Sequence, residues 1–129
     1  MTAAPSPPLA FIYDRSASRS RRQLHMRLEG CRHYADDMGW PIAGRWVDLG
    51  EHALTMHRPQ LTALLTIMQT EADHHEVLCL VHTSERLATD TTHRLLLQQR
   101  VIAAGGRTVT TFDEPVQPTL RAVLLGRAP

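Results

Sequence analysis

The sequence has no lysine, and all fourteen of its basic residues are arginine. It has only two cysteines, Cys31 and Cys79, both inside periodic apolar segments and without the spacing of metal ligands. Such positions favour buried thiols over a disulfide or a zinc site, and they suit a reducing compartment. No run of about 18 apolar residues occurs, so no membrane-spanning helix is expected. The opening MTAAPSPP lacks both a basic start and an apolar signal core. A cytoplasmic protein is therefore expected. Neither GxGxxG nor a P-loop pattern is present, which removes the usual sequence signals of dinucleotide and nucleotide-phosphate binding.

What is present fits one compact domain. A chain of 129 residues is long enough for a core of its own and too short for two ordinary domains. Residues 1–8 carry three prolines and are expected to form a flexible N-terminal tail, with the domain at 9–125 and a flexible C-terminus at 126–129. Leu9 to Asp14 is short and apolar, as a central strand buried on both faces would be. Leu24, Leu28, Cys31, Ala35 and Met38 recur at helical spacing, and Gly39 follows where the helix should stop.

Ile42 to Val47 reads as a second strand and Asp48 to His57 as a polar loop. Pro59 is suited to the first position of a second helix that buries Leu61, Leu64, Leu65 and Met68. Glu76 to Val81 reads as a third strand. Thr91 to Ala104 reads as a third helix through Leu95, Leu96, Gln99 and Ile102, closed by Gly105-Gly106, and Arg107 to Phe112 as a fourth strand. Strands alternating with helical crossovers require an α/β three-layer sandwich around a mostly parallel sheet of four or five strands. Such sheets carry their working residues beyond the carboxyl ends of the strands. Here those ends are Asp14 to Arg19, Asp48 to Arg58, His82 to Thr89, and Asp113-Glu114.

Charge concentrates at the first of these ends. Between Arg15 and Arg32 there are six arginines and one acid, Glu29, a local balance of about +5. A solvated basic face, a phosphate-facing surface and a protein-docking surface all fit that pattern. Arg15, Arg58 and Arg86 each lie just beyond a strand or at the start of the following helix, on one edge of the sheet, where convergent guanidinium groups would suit a phosphodiester and the charge of its transition state. Loop ion pairs with Asp48, Glu51 or Glu85 are the plainer expectation for each. The eight histidines include no HExxH spacing, so no metal and no cofactor are expected. His82, after the third strand, is retained as a pocket residue.

The pieces Tyr13-Asp14-Arg15-Ser16-Ala17, Gln23-Leu24, Asp48-Leu49-Gly50, Arg58-Pro59-Gln60-Leu61 and Glu85-Arg86-Leu87-Ala88-Thr89 occur in that order. Together they resemble the N-terminal catalytic domain of the serine site-specific recombinases, the resolvase and invertase family, over roughly Leu9 to Leu124. The family pattern has Tyr-x-Arg-Val-Ser, Asp-x-Gly-x-Ser-Gly, Arg-Pro-x-Leu and Asp-Arg-Leu-x-Arg. The resemblance implies a resolvase-like fold and a serine that attacks a DNA phosphodiester while arginines hold the phosphate.

Residue by residue, Arg15 matches the first arginine and Arg86 the second. Arg58 keeps the Arg-Pro landmark, and Glu85 stands where the family has aspartate. Ala17 matches the serine, and Thr89 replaces the last arginine. Alanine has no nucleophile. In an extended strand Arg15 and Ala17 share one face while Ser16 and Ser18 share the other, so a bulge or register shift would be needed to bring either serine to the arginines. The loop hydroxyls otherwise serve as turn or cap acceptors. The family continues past the sheet into a long dimerisation helix and a DNA-binding domain; taken as a whole protein, this sequence is expected to be a degenerate, truncated relative, and taken as a piece of one, those parts are expected beyond it.

The expected function is a resolvase-like binding or regulatory module without DNA strand exchange, working as a homodimer or with a protein partner. Leu120, Val123 and Leu124 are candidates to cover an apolar face left by the short tail. One alternative is an active or partner-dependent recombinase that cleaves DNA through Ser18 or Ser16. Another is a noncatalytic DNA-binding accessory protein that uses Arg19, Arg21 and Arg22.

Overall fold

The computed structural model describes residues 6–18 and 20–112. Arg19, Asp113-Glu114 and the tail residues Leu120, Val123 and Leu124 lie outside the described residues.

Four strands form one parallel sheet: β1 (Leu9–Ser16), β2 (Ile42–Leu49), β3 (Val77–Val81) and β4 (Arg107–Thr110), in the order β2-β1-β3-β4. Three helices connect them: α1 (Arg21–Met38), α2 (Pro59–Glu71) and α3 (Thr91–Ala103), with single 3-10 turns at Gly50–Ala53 and Ser84–Arg86. The architecture is the expected α/β sandwich. β1 lies between β2 and β3, and this explains its unbroken apolar run, because both of its faces are covered.

Each face of the sheet has its own core. Phe11, Tyr13, Val77, Cys79 and Val81 point to the side packed by Leu61, Leu64 and Met68 of α2 and by Leu97 and Val101 of α3. Ala10, Ile12 and Leu80 point to the other side, where Leu24, Leu28, Cys31 and Ala35 of α1 cover them. Period-two alternation along β1 thus feeds two separate hydrophobic layers. Gly39 ends α1 in the left-handed region at φ 75°, its N–H bonded to the carbonyls of Ala35 and Asp36. Pro59 occupies the first turn of α2, as its missing N–H allows.

Several details depart from the sequence expectation: Leu65 of α2 is only partly buried and β4 ends at Thr110 rather than Phe112. Met38 is half exposed, because Trp40 folds back against Tyr34 and fills the end of the α1 cluster in its place. On α3 the buried stripe is Leu97, Val101 and Ala104, while Leu96 and Ile102 are exposed. Three consecutive leucines allow two overlapping helical stripes, and periodicity alone does not choose between them.

β1 also continues past Asp14. Arg15 pairs with Asp48 and Ser16 with Leu49, since β2 runs equally far and the ladder persists. That extension carries four consecutive functional-type side chains, Tyr13 to Ser16, to the carboxyl edge at the centre of the sheet.

Candidate functional site

Alternation along β1 divides the edge into two sides. Asp14 and Ser16 face α1, whereas Tyr13 and Arg15 face α2 and the loops after β2 and β3.

On the α1 side, Asp14 is 2% exposed by side chain and is the shared acceptor of two arginines. Arg27 Nε donates to one carboxylate oxygen at 2.8 Å and Arg86 Nε to the other at 2.9 Å. The backbone N–H of Arg15 adds a third donor at 2.7 Å. A second Arg86 nitrogen donates to the Arg15 carbonyl. Asp14 therefore ties α1, the Ser84–Arg86 turn and β1 together through charge-assisted bonds.

On the opposite side, Arg15 is 8% exposed and spends its guanidinium on neutral acceptors. It donates to the carbonyl of Ala53 at 2.9 Å, to the carbonyl of Glu85 at 2.7 Å and to Thr89 Oγ1 at 2.8 Å. Its Nε is buried without a partner. Burial first, and then the neighbouring charges of Arg58 and Arg86, lower the pKa of Arg15 below the usual arginine value. Arg58 is also buried, with Nε on the Thr55 carbonyl at 2.9 Å and a terminal nitrogen on the Leu87 carbonyl.

Asp48 has a different task from ion pairing. Its carboxylate accepts from the amides of Gln60 at 2.9 Å and Leu61 at 3.0 Å, and from the Tyr13 hydroxyl at 2.8 Å. It thus supplies the N-terminal acceptor that the α2 cap residue, Arg58, does not provide. Burial is the main reason the Tyr13 phenol is held well above its usual value; Asp48 adds to the shift and Arg58 opposes it.

The fold brings Arg15, Arg58 and Arg86 to one edge. The serine hydroxyls are hydrogen-bonded within their own turn. Ser16 is buried with its hydroxyl 3.4 Å from the Ser18 carbonyl, and Ser18 is exposed and accepts from the Ser20 amide at 3.0 Å. Ser16, Ala17 and Ser18 line a cavity of about 440 Å³ with Ser20, Arg21 and Leu49. Glu85 is exposed, and what it gives the cluster is its backbone carbonyl. Arg21 and Arg22 are exposed on the first turn of α1.

The carboxylate partner of the cluster is Asp14, not the expected Asp48, Glu51 or Glu85. Arg27 was missed as a member. Its position three residues after Leu24, on the flank of the buried stripe, is the signal that could have shown it. His82 packs edge-on against Phe112 at 5.0 Å, and a Cβ on Gly30 of α1 would come within 3.4 Å of its ring.

Neither the protein-family models nor the curated proteins contain a match to this chain. Solved structures do match its fold. A resolvase family site-specific recombinase from Streptococcus pneumoniae superposes with TM-score 0.69 at 17% identity, over 92% of this chain and 83% of that one. The N-terminal catalytic domain of TP901-1 integrase gives 0.67 at 19%, over 91% and 87%. The C-terminal catalytic domain of ISC1926 TnpA, an IS607-like serine recombinase, gives 0.65 at 16%, over 92% and 76%. At these identities the likeness is one of fold: a resolvase-like α/β domain.

Proposed function

We propose that this chain is a resolvase-like domain that does not carry out DNA strand exchange and acts as a binding or regulatory module. The observation that carries the reading is the commitment of Arg15, Arg58 and Arg86. Apart from the unpartnered Arg15 Nε, the donors described for them go to the chain's own carbonyls, to Thr89 and to Asp14, with the serine hydroxyls on other partners. A phosphoryl-transfer site needs those donors free at the transferring phosphate and a nucleophile placed within a fraction of an ångström. Ala17 supplies no nucleophile. The arginines here act as a latch that closes the loops after β2 and β3 onto β1.

Incubation with supercoiled plasmid tests this directly. Neither nicked product nor an SDS-stable protein–DNA adduct should form, and Ser16→Ala with Ser18→Ala should change nothing. An adduct that disappears with either serine would reverse the reading in favour of a serine recombinase. Arg21 and Arg22, exposed and without an acidic residue in their helix turn, support a second reading as a noncatalytic DNA contact. Its mark would be affinity that falls with salt and with Arg21→Ala/Arg22→Ala. Self-association belongs to the main reading, supported by exposed Leu96 and Ile102 on α3. Light scattering should report a mass above that of one chain.

A further inference from the structure

From the edge of β2, which no strand of the described residues pairs, and the basic groove beside it, we infer a docking site for an extended acidic peptide of a partner protein, which joins the sheet as an added strand. This rests on the reading of the chain as a binding module and gives that module its surface.

β2 is a terminal strand of the four-stranded sheet among the described residues. It is eight residues long, twice the length of β4 at the other end. It contains no proline, and its one irregularity is a register shift opposite Ala10 and Phe11, which leaves Gly44 to Leu49 as a regular edge. Such an edge offers a row of backbone donors and acceptors that natural sheets usually cover or blunt.

A groove of about 420 Å³ lies between this edge and α1, lined by Arg21, Leu24, His25, Leu28, Arg45 and Val47. It meets the cavity at the end of β1 through Arg21 and Leu24, which line both. Its floor is apolar and its rim carries two arginines and a histidine with no acid. Carboxylates on alternate residues of an added strand would reach Arg21 and Arg45 while their aliphatic stems cover Leu24 and Val47. Main-chain bonds then supply affinity, and the basic rim selects the partner and its direction. A nucleic acid would meet the arginines but would leave the alternating backbone groups and the apolar floor without a counterpart. The observations therefore favour a peptide.

The test uses the full chain and a fluorescein-labelled, end-capped octapeptide of alternating valine and glutamate. Saturable binding is expected, with slowed amide exchange over residues 43–49. N-methylation of alternate peptide amides should weaken binding at least tenfold, and Arg21→Glu/Arg45→Glu should do the same, since a tenfold loss corresponds to roughly 1.4 kcal/mol. Both arginines are exposed, so circular dichroism should show an intact fold. Absence of binding, or equal binding of the N-methylated peptide, refutes the docking site. So does a duplex oligonucleotide that displaces the peptide and loses affinity in the same variant. A chain that cleaves no DNA yet ignores the peptide keeps the noncatalytic reading and loses this one; a chain that forms a DNA adduct loses the former whatever the peptide does.

Discussion

Asp14 sits with almost no solvent exposure between the guanidinium groups of Arg27 and Arg86, and removing its charge would leave both arginines without their counterion. Breaking a buried pair from one side is costly because the other charge stays desolvated. Asp14→Asn should therefore lower the unfolding free energy by about 3 kcal/mol in urea denaturation. Arg86→Ala removes one contact to Asp14 and the bond to the Arg15 carbonyl, and should cost less because Arg86 is partly exposed. Of this cluster, Arg15, Arg58 and Arg86 were legible from the sequence, since each lies at a strand end or in the connection that leads from a strand to the next helix. Arg27 was not, because its role depends on which side of α1 turns to β1. The serines were legible as residues, but their partners within the turn were not, since hydroxyls bond to whatever acceptor or donor the turn places beside them.

Helix α2 begins at an acceptor that comes from a strand. Asp48 lies eleven residues before Pro59 and receives the amides of Gln60 and Leu61 together with the Tyr13 hydroxyl. Asp48→Ala should cost about 2–3 kcal/mol, read as a lower urea midpoint at unchanged slope. Asp48→Asn, which keeps an acceptor, should recover part of that loss. The connection from α3 to β4 is equally constrained. Gly105 has φ +94°, and a Cβ there would come within 2.7 Å of the Ala72 Cβ. Gly105→Ala should cost about 2 kcal/mol, since conformational strain and a clash with α2 add. Gly105-Gly106 was readable as a helix stop. That the turn also abuts the end of α2 was not, because packing between connections leaves no local pattern.

Two cores on either side of one sheet make the whole molecule a single cooperative structure in which the cysteines report on both halves. Cys31 belongs to the α1 layer and Cys79 to the opposite layer. Burial is the main reason both thiols are pushed from an ordinary 9.0 up to about 12, with Asp14 adding to the shift at Cys31. In the native protein at pH 8 neither should react with a thiol-specific disulfide reagent, and both should react together once it unfolds. The same shifts fix a direction with pH. Above about 9 the unfolded thiols lose protons while the folded ones keep theirs until about 12. The unfolded state then binds fewer protons, so this contribution to stability is complete below pH 9 and is lost as the pH rises toward 12. Thermal melts across pH 8 to 11 of the native chain and of Cys31→Ser/Cys79→Ser should show the native chain losing stability more steeply.

The sequence by itself determined the parallel α/β order, the stripe that α1 buries, the carboxyl-edge position of the arginines and the absence of a serine at residue 17. These follow from period, from turn residues and from side-chain chemistry, all of which are local. Only the tertiary structure decided that Asp14 is the counterion, that Asp48 caps α2, that Leu97 rather than Leu96 of α3 faces the sheet, and that Arg15 is spent on carbonyls from two distant loops. Each of those choices pairs groups far apart in the chain. Their energies depend on distance, burial and the neighbours that desolvate them, and none of these is present until the strands have stacked.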